Sequence, residues 1–366
     1  MIGLGKLHKL FDAHSLCGIT ATLLRGGGYF RRAVQVIQTP HRFRFHRRAA
    51  SPQIGRFTYE NERDDTEMKF IFMVIGKGDL GMEYIKLSDG KSIPILGYGA
   101  CLVAREECER CVLDALEVGY RSIDTAQAYG NEAEVGNAIA VCGLDRSELF
   151  ITTKIDTANY GYERTRRSFL ESLEKLKSDY VDLCLLHQPY NDVYGSYRAL
   201  EDLHDEGLIR SIGISNFYAD RMVDIYHYAR VKPVLNQLEM HPFHQRWDEQ
   251  EWNGRYGICL EAWSPFGRGR ENMLEIPELT ALGEKYGKTP AQIILRFLTQ
   301  RGVAVASKST HKERMAENIS VLDFTLTDGE MAVIKGLDKG RSVFYSHADP
   351  ETVERFWCSI EKKLGK

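Results

Sequence analysis

The sequence predicts a closed (β/α)8 TIM barrel with an N-terminal β-hairpin at the barrel floor and an extra C-terminal helix and loop. The first observation is that short apolar, β-rich runs alternate with helical patterns from residue 94 onward, as parallel strands joined by crossover helices do. The second is that the alternation occurs eight times, the number that closes such a barrel. The third is a strand–turn–strand pattern ahead of the first unit. The alternation alone also allows an open doubly wound sheet.

The predicted hairpin comes first along the chain. Two short strand-like runs, 83–87 and 92–95, flank a turn at 88–91 that contains Gly90. Just upstream, 76–81 matches the pattern G-x-G-x-x-G, which in a Rossmann fold opens a helix whose N-terminus meets a pyrophosphate. A hairpin follows here instead of a helix. We therefore do not expect a Rossmann turn, and a dehydrogenase built on it is kept as a competing hypothesis.

The predicted strands and helices of the barrel then alternate in order. In the helix 105–118, Cys108, Val112 and Ala115 fall on one apolar stripe, and Gly119 ends the helix. The strands are expected at 95–102, 120–125, 149–154, 180–187, 209–215, 234–241, 258–264 and 303–309. Further helices are expected at 132–141, between the third strand and residue 178, at 197–205, at 291–300 and at 328–340. The helix at 291–300 follows an N-cap at Thr289, and the helix at 328–340 is expected on the barrel exterior.

The charge of the chain divides it into two parts. Residues 1–56 hold ten Lys and Arg and a single acidic residue, Asp12, whereas the net charge of the whole chain is −3. We expect 1–82 to be a basic, disordered extension and 83–366 to be the barrel domain. An Arg-rich, acid-poor extension is typical of an organelle transit segment. We favour instead an upstream extension with a non-native start, and a nucleic-acid-binding arm has only electrostatic support.

Composition also excludes several classes of protein. No apolar run has the length of a membrane helix, and the net charge gives no reason to expect binding to nucleic acid. The eight cysteines are scattered and no export signal precedes them, so we expect reduced thiols and a cytoplasmic location. No His/Cys set has the spacing of a metal site, and we expect no metal. Nothing indicates an obligate interface, so a monomer or weak dimer is expected.

Reactive side chains collect where the predicted strands end. The second strand ends at Asp124, with Tyr129 in the loop after it, the third ends at Lys154, and the fourth at His187. The C-terminal strand ends of a barrel meet on one face. A lysine beside a tyrosine is expected to lower the pKa of the phenol, an aspartate to hold the lysine, and a histidine to orient a substrate oxygen. Such a set protonates a carbonyl oxygen during reduction, and it holds no nucleophile.

Five separated motifs resemble the signature of the aldo-keto reductase family. They are the segments 119–132, 185–189, 213–217, 236–239 and 308–309, in that order, and the resemblance extends from about 83 to 366. It implies a (β/α)8 barrel that binds NADP(H) without a glycine-rich Rossmann turn. It also implies that Tyr129 is the general acid, that Lys154 and Asp124 tune it, and that His187 orients the substrate.

Eleven further positions match residues that hold the cofactor in this family. From the nicotinamide end to the adenosine end, the resemblance implies Ser215, Asn216 and Gln237 at the carboxamide, Trp263 on the nicotinamide ring, Ser264 and Phe266 at the pyrophosphate, Lys308, Ser309 and Arg314 at the 2′-phosphate, and Glu317 and Asn318 at the adenosine. An ammonium, a hydroxyl and a guanidinium suit a dianion, which favours NADP over NAD.

Two positions depart from the family pattern. Ser307 stands where many members have proline, and Gln188 follows His187 where many animal members have tryptophan, so that the substrate wall is less aromatic. We expect NADPH-dependent reduction of a small aldehyde, ketone or keto-sugar to the alcohol. The alternative is a regulatory subunit that binds the cofactor on the same barrel without significant turnover.

Overall fold

The computed structural model describes residues 82–365 and, before them, the backbone of three strands. These strands, β1 (Arg48–Ser51), β2 (Ile54–Tyr59) and β3 (Met68–Met73), form an antiparallel sheet in the order β1-β2-β3. They fall in the unit 1–77, and everything below concerns the unit 78–366. Apart from Met82, the other residues of the extension predicted over 1–82, including the glycine pattern at 76–81, lie outside the described residues. Its disorder and its targeting role stay predictions.

A short hairpin precedes the barrel and closes its floor. Its strands, β4 (Tyr84–Lys86) and β5 (Ser92–Pro94), pair antiparallel. Leu87 and Ile93, at the turn and on β5, are buried together with Phe150, Leu183 and Leu235 in an apolar cluster of their own. The last three residues lie near the N-terminal ends of barrel strands. The prediction that the hairpin caps the barrel floor is therefore confirmed.

Eight parallel strands close into a barrel, as predicted, and the open sheet is excluded. Each strand pairs with the next in sequence, and the last pairs with the first. The strands are β6 (Leu96–Gly99), β7 (Ser122–Asp124), β8 (Phe150–Ile155), β9 (Val181–Leu186), β10 (Ile209–Ser215), β11 (Leu235–Glu239), β12 (Cys259–Trp263) and β13 (Ala304–Ser307).

Helices separate the barrel strands. Those described are α1 (Arg105–Val118), α2 (Glu132–Val141), α3 (Tyr162–Leu176), α4 (Val193–Asp205), α5 (Ala219–Tyr228), α6 (Trp247–Arg255), α7 (Pro277–Tyr286), α8 (Pro290–Gln300), α9 (Lys312–Ile319), α10 (Asp328–Lys335) and α11 (Pro350–Lys363). The predicted bounds of α1 and α2 are confirmed. The helix predicted over 328–340 ends earlier, because the chain leaves the helix at Gly336.

The sequence patterns missed five helices: α5, α6, α7, α9 and α11. Helix α6 buries only Asn253 and shows no apolar stripe. Helix α5 does carry one, since Met222 and Ile225 are buried and Tyr226 packs against the core, and the sequence reading overlooked it. Helix α11 does carry a start signal. The Asp349 carboxylate accepts a hydrogen bond from the N–H of Thr352 at 3.1 Å, and Pro350 occupies the first turn. That pair identifies the helix start as clearly as Thr289 and its following proline do for α8.

The barrel interior changes from apolar to polar along its axis. Alternate residues of each strand point inside, so Phe150 at the start of β8 joins the floor cluster while Lys154 lies near the opposite end. The buried polar side chains between the middle of the strands and their C-terminal ends include Asp124, Gln237 and Glu261. The side chains that could take part in a reaction therefore lie toward this end of the barrel. Between residues 82 and 365, no helix is long and apolar enough to span a membrane, and no cluster of three metal-binding side chains occurs.

Candidate active site

A buried ion pair forms the base of the site. Lys154 Nζ, on β8, lies 2.6 and 2.7 Å from the two carboxylate oxygens of Asp124, at the end of the adjacent strand β7. Its third hydrogen bond goes to the carbonyl oxygen of Thr125 at 3.0 Å. The Lys154 side chain is fully buried and that of Asp124 nearly so. These three hydrogen bonds fix the orientation of the ammonium group, and the Asp124 carboxylate favours its charged form.

Tyr129 lies directly above this pair. The residue sits in a short 3₁₀ turn, Gln127–Tyr129, after β7, and its hydroxyl oxygen is 3.3 Å from Lys154 Nζ. Burial and the Asp124 carboxylate raise the pKa of Tyr129 well above its ordinary value. This direction is opposite to the sequence-based expectation that the lysine lowers it, because burial of the phenol and the nearby Asp124 carboxylate both favour the protonated form. The phenol therefore carries its proton at neutral pH.

His187 completes the set of four at the end of β9. Its ring centroid is 5.7 Å from that of Tyr129, with the two rings nearly perpendicular. Burial and the Lys154 ammonium lower the pKa of His187 to about 3. The imidazole is therefore neutral over the physiological range, and one ring nitrogen remains a hydrogen-bond donor. All four predicted catalytic side chains come together at one mouth of the barrel.

Gln237 links this group to a residue that the sequence reasoning missed. Its Nε2 donates to Asp124 Oδ2 at 2.9 Å and to Glu261 Oε2 at 2.7 Å, so both amide hydrogens are used and its carbonyl oxygen is the group left for a ligand. Burial and the Asp124 carboxylate raise the pKa of Glu261 to about 7. The available signal was an acidic residue inside an otherwise apolar strand pattern.

Ser215, Asn216 and Trp263 form a second hydrogen-bonded group. Trp263 Nε1 donates to Asn216 Oδ1 at 2.9 Å, and Asn216 Nδ2 donates to Ser215 Oγ at 3.1 Å and to the His187 carbonyl oxygen at 3.0 Å. Asn216 holds a left-handed backbone conformation, with φ of 66°, at the end of β10. Such strain in a non-glycine residue persists where surrounding contacts fix it, which is common at functional sites.

The loop after β12 lies over the mouth of the barrel. Ser264, predicted as the last residue of the strand, instead has φ of 51°, so the strand ends at Trp263 and the chain turns away. Arg268 Nε donates to Ser264 Oγ at 3.0 Å, and its guanidinium lies 5.1 Å from the ring of Phe344 in the C-terminal segment. Phe266 is half-buried beside the core. The loop and the C-terminal segment therefore meet at the site.

The remaining predicted cofactor residues lie after β13 and on α9. Lys308 and Arg314 are exposed, and within residues 82–365 no carboxylate forms an ion pair with either of them. Ser309 is buried, and its hydroxyl accepts a hydrogen bond from the N–H of His311 at 3.0 Å, just before α9 begins. Two unpaired cations and a helix N-terminus leave positive potential here.

Glu317 and Asn318, predicted at the adenosine end, also make contacts that stabilise the fold. Glu317 Oε1 accepts a hydrogen bond from Thr289 Oγ1 at 2.7 Å, which ties α9 to the start of α8. Asn318 is buried on the same helix. Glu317 and Asn318 lie on α9 together with Arg314. None of these three residues contacts the catalytic set of four that includes Tyr129.

Comparison with known proteins agrees with this arrangement. A model of the aldo/keto reductase family matches residues 96–339. An aldo-keto reductase of Mycobacterium sp. (strain MCS) is 42% identical over 275 residues, covering 74% of this chain and 95% of the relative. The methylglyoxal reductase DkgA of Escherichia coli (strain K12) is 42% identical over 260 residues, covering 70% of this chain and 94% of that enzyme.

A solved structure shares both the fold and the sequence. The aldo-keto reductase of Bombyx mori, determined in complex with NADP, superposes with a TM-score of 0.69 at 34% identity, covering 75% of this chain and 97% of that one. The family model spans more than half of the chain, and several relatives exceed 40% identity over nearly their whole length. The chain, which is an oxidoreductase by this relationship, belongs to the aldo/keto reductase family.

Proposed function

We propose that the protein reduces a small aldehyde, ketone or keto-sugar to the alcohol, with NADPH as the reductant and Tyr129 as the general acid. The observation that carries the proposal is the contact of Tyr129 with the Lys154–Asp124 pair, beside the neutral His187. Family membership supports carbonyl reduction, and the methylglyoxal reductase and the NADP complex among the relatives support the substrate class and the cofactor.

The residues at the mouth fit a nicotinamide cofactor. The side-chain oxygen Oε1 of Gln237 receives no hydrogen bond from the described residues, whereas both hydrogens on its Nε2 are used, so Oε1 suits the amide hydrogens of a carboxamide. Trp263 offers a ring held in position through its Nε1, and Ser215 lies beside it. Lys308 and Arg314 supply charge for a phosphate dianion. When bound, the reduced cofactor would supply the hydride.

Tyr129 and the side chains around it then transfer a proton to the substrate. The neutral imidazole of His187 donates a hydrogen bond to the substrate carbonyl oxygen and fixes the carbon in place. As negative charge develops on that oxygen, Tyr129 donates its phenolic proton to it. The raised pKa of Tyr129 keeps this proton available, and an alkoxide is basic enough to take it. Lys154 lies 3.3 Å away and stabilises the phenolate that remains.

Two further expectations are kept as proposals. We infer that the protein works in the cytoplasm and as a monomer or weak dimer. In the described part of the chain, all seven cysteines are free thiols, which supports a reducing compartment. The extension over 1–82 is proposed to be dispensable for the reaction, since every residue given a role above lies in the barrel.

Replacing Tyr129 by phenylalanine tests the proposal. We expect Tyr129→Phe to bind NADPH as the wild type does and to lose at least 100-fold in kcat, because only the proton donor is removed. The measurements are fluorescence titration with NADPH and the rate of its oxidation across a carbonyl panel. Wild-type turnover in the variant contradicts the assignment of the acid. Stoichiometric NADPH binding by the wild type without oxidation of the cofactor would instead identify a cofactor-binding regulatory subunit.

A further inference from the structure

Gln127 and the proposed general acid Tyr129 stand at the two ends of one short 3₁₀ turn after β7. Lys154 Nζ forms a hydrogen bond to the Tyr129 hydroxyl at 3.3 Å, but a contact at the tip of a side chain leaves the backbone beneath it free to shift. The position of the phenol therefore depends on what holds the turn. The side-chain amide of Gln127 forms four hydrogen bonds, and they attach the turn to two other parts of the barrel.

The amide nitrogen of Gln127 attaches the turn to helix α3. Its Nε2 donates to the carbonyl oxygen of Ser168 at 3.0 Å and to Ser172 Oγ at 3.0 Å. Both serines are buried on α3. Ser172 Oγ donates in turn to Glu132 Oε2 at 3.2 Å, in the first turn of α2. Both hydrogens on Nε2 are therefore used on partners that are themselves fixed.

The amide oxygen of Gln127 attaches the same turn to the segment after β8. Its Oε1 accepts from the backbone N–H of Asp156 at 2.9 Å and from Asn159 Nδ2 at 2.9 Å. Asp156 follows β8 directly, and Lys154 lies on that strand. The bond to Asp156 therefore links the turn that carries the acid to the strand that carries the lysine. Because a primary amide offers two donors and two lone pairs, these four bonds leave Gln127 a single favourable orientation.

A second amide holds the chain on the other side of Tyr129. Asn131 is fully buried, its Nδ2 donates to the carbonyl oxygen of Ala100 at 2.9 Å, and its Oδ1 accepts from Thr125 Oγ1 at 2.8 Å. These two partners are the residues that directly follow β6 and β7. The bonds of Asn131 therefore reach neither α3 nor the segment after β8, and they cannot take the place of those that Gln127 makes there.

We propose that Gln127 is a positioning residue for proton transfer, whose four hydrogen bonds set the distance of the Tyr129 hydroxyl from Lys154 Nζ and from the substrate oxygen. Gln127 acts only through the turn. When its bonds are lost, the turn shifts, and a displacement of about 1 Å is enough to slow such a step about 100-fold. Binding of the cofactor is unaffected, because the residues proposed for it lie on or after β10 to β13. This inference rests on the proposed reductase function and adds a residue to its proton transfer.

The test compares Gln127→Met with the matched control Gln300→Met. Methionine keeps the length of glutamine and forms none of the amide hydrogen bonds. Gln300 is half-buried like Gln127, and its amide also bonds at both ends, to the carbonyl oxygen and the N–H of Leu326 at 2.8 and 2.9 Å. It is the last residue of α8, which leads into the N-terminal end of β13, so it lies at the barrel floor and not at the mouth.

Three quantities are measured on both variants and the wild type. They are the dissociation constant of NADPH, the single-turnover rate of NADPH oxidation by DL-glyceraldehyde (or by the carbonyl of the panel that the wild type reduces fastest), and the solvent deuterium isotope effect on that rate. In Gln127→Met the rate is expected to fall about 10- to 100-fold and the isotope effect to rise, with NADPH binding unchanged. In Gln300→Met all three stay at the wild-type values. A wild-type rate in Gln127→Met, or an equal fall in both variants, overturns the positioning role.

A milder variant decides the question if Gln127→Met does not fold. Asn159→Ala removes the donor of one of the four bonds, so the single-turnover rate is expected to fall about two- to five-fold, again with unchanged binding of NADPH. A wild-type rate in Asn159→Ala then overturns the role. If the wild type oxidises NADPH with no carbonyl, the reductase function itself fails and the role of Gln127 falls with it. An active wild type whose rate Gln127→Met matches removes the role of Gln127 alone.

Discussion

Lys154 donates hydrogen bonds to both carboxylate oxygens of Asp124, at 2.6 and 2.7 Å, inside the barrel. Neither charge is stabilised by water, so each depends on the other. The pair therefore has two roles. It fixes the ammonium beneath Tyr129, and it holds together the C-terminal ends of two adjacent strands.

A single and a double variant together are expected to separate the catalytic role of the pair from its role in stability. Lys154→Met leaves the Asp124 carboxylate buried without its cation, which should lower the free energy of unfolding by about 3–5 kcal/mol. Turnover should fall at least 100-fold, because the phenolate of Tyr129 loses its stabilising charge. The double variant Lys154→Met/Asp124→Asn removes both charges and should recover most of the stability without the turnover. Urea unfolding and kcat measure the two effects, and a single variant as stable as the wild type would contradict the buried pair.

Glu261 predicts a pH-dependent stability. Its pKa is raised to about 7 in the folded protein from an ordinary value of 4.5. Between these values the folded state holds a proton that the unfolded state has released, so the contribution of Glu261 to stability falls as the pH rises from about 4.5 to 7. Glu261→Gln cannot ionise and still accepts from Gln237. The variant should therefore gain about 2–3 kcal/mol in unfolding free energy over the wild type between pH 5 and pH 8.

Urea titrations of both proteins at pH 5 and pH 8 measure this gain. The comparison between variant and wild type cancels the titration of the groups that do not interact with Glu261. A difference that is the same at both pH values would mean that Glu261 titrates near its ordinary pKa.

The fold was largely predictable because it follows from local patterns. Strand after strand is a short apolar run between helices, and the bounds of α1 and α2 follow from their apolar stripes and the glycine that ends α1. Helix α6 was not predictable in this way, since it buries only Asn253 and shows no apolar period. Helix α5 has a short apolar stripe with Met222 and Ile225 buried, which the sequence reading overlooked. Several of the predicted strands run up to three residues too far at their C-terminal ends, as at 95–102, where the strand ends at Gly99. At Ser264 the difference is one residue, and there the backbone turns into a left-handed conformation.

The site was predictable in its membership but not in its electrostatics. Asp124, Lys154 and His187 all stand at strand ends, so barrel topology alone brings them together. The direction of the pKa shift of Tyr129 depends on how far burial and Asp124 outweigh Lys154, and no sequence pattern contains those distances. The role of Glu261 likewise requires knowing that its strand neighbour Gln237 also reaches Asp124.

Trp263 is expected to act through its indole nitrogen as well as its ring. Trp263→Phe keeps an aromatic ring but loses the hydrogen bond to Asn216 Oδ1 at 2.9 Å, and Asn216 is itself in a strained conformation. Loss of this bond should weaken NADPH binding about three- to ten-fold. The matched control is Trp252→Phe on α6, where the indole is exposed and contacts Arg255. Equal dissociation constants for the two variants would leave the Trp263 hydrogen bond without a role in binding.

The exposed cations near α9 predict the choice between the two nicotinamide cofactors. Lys308 has no carboxylate partner within residues 82–365, so its charge is available to a 2′-phosphate. Lys308→Met should raise KM for NADPH about 10- to 100-fold, the effect of a lost charge-assisted hydrogen bond, and should leave KM for NADH nearly unchanged. The control is Lys312→Met, because Lys312 already forms an ion pair with Glu117 at 2.6 Å. Its positive charge is therefore largely neutralised before any phosphate binds. Since the two lysines lie close in sequence, a general change in surface charge would affect both variants alike. An equal rise of KM for NADPH and NADH in Lys308→Met would place the lysine away from the 2′-phosphate.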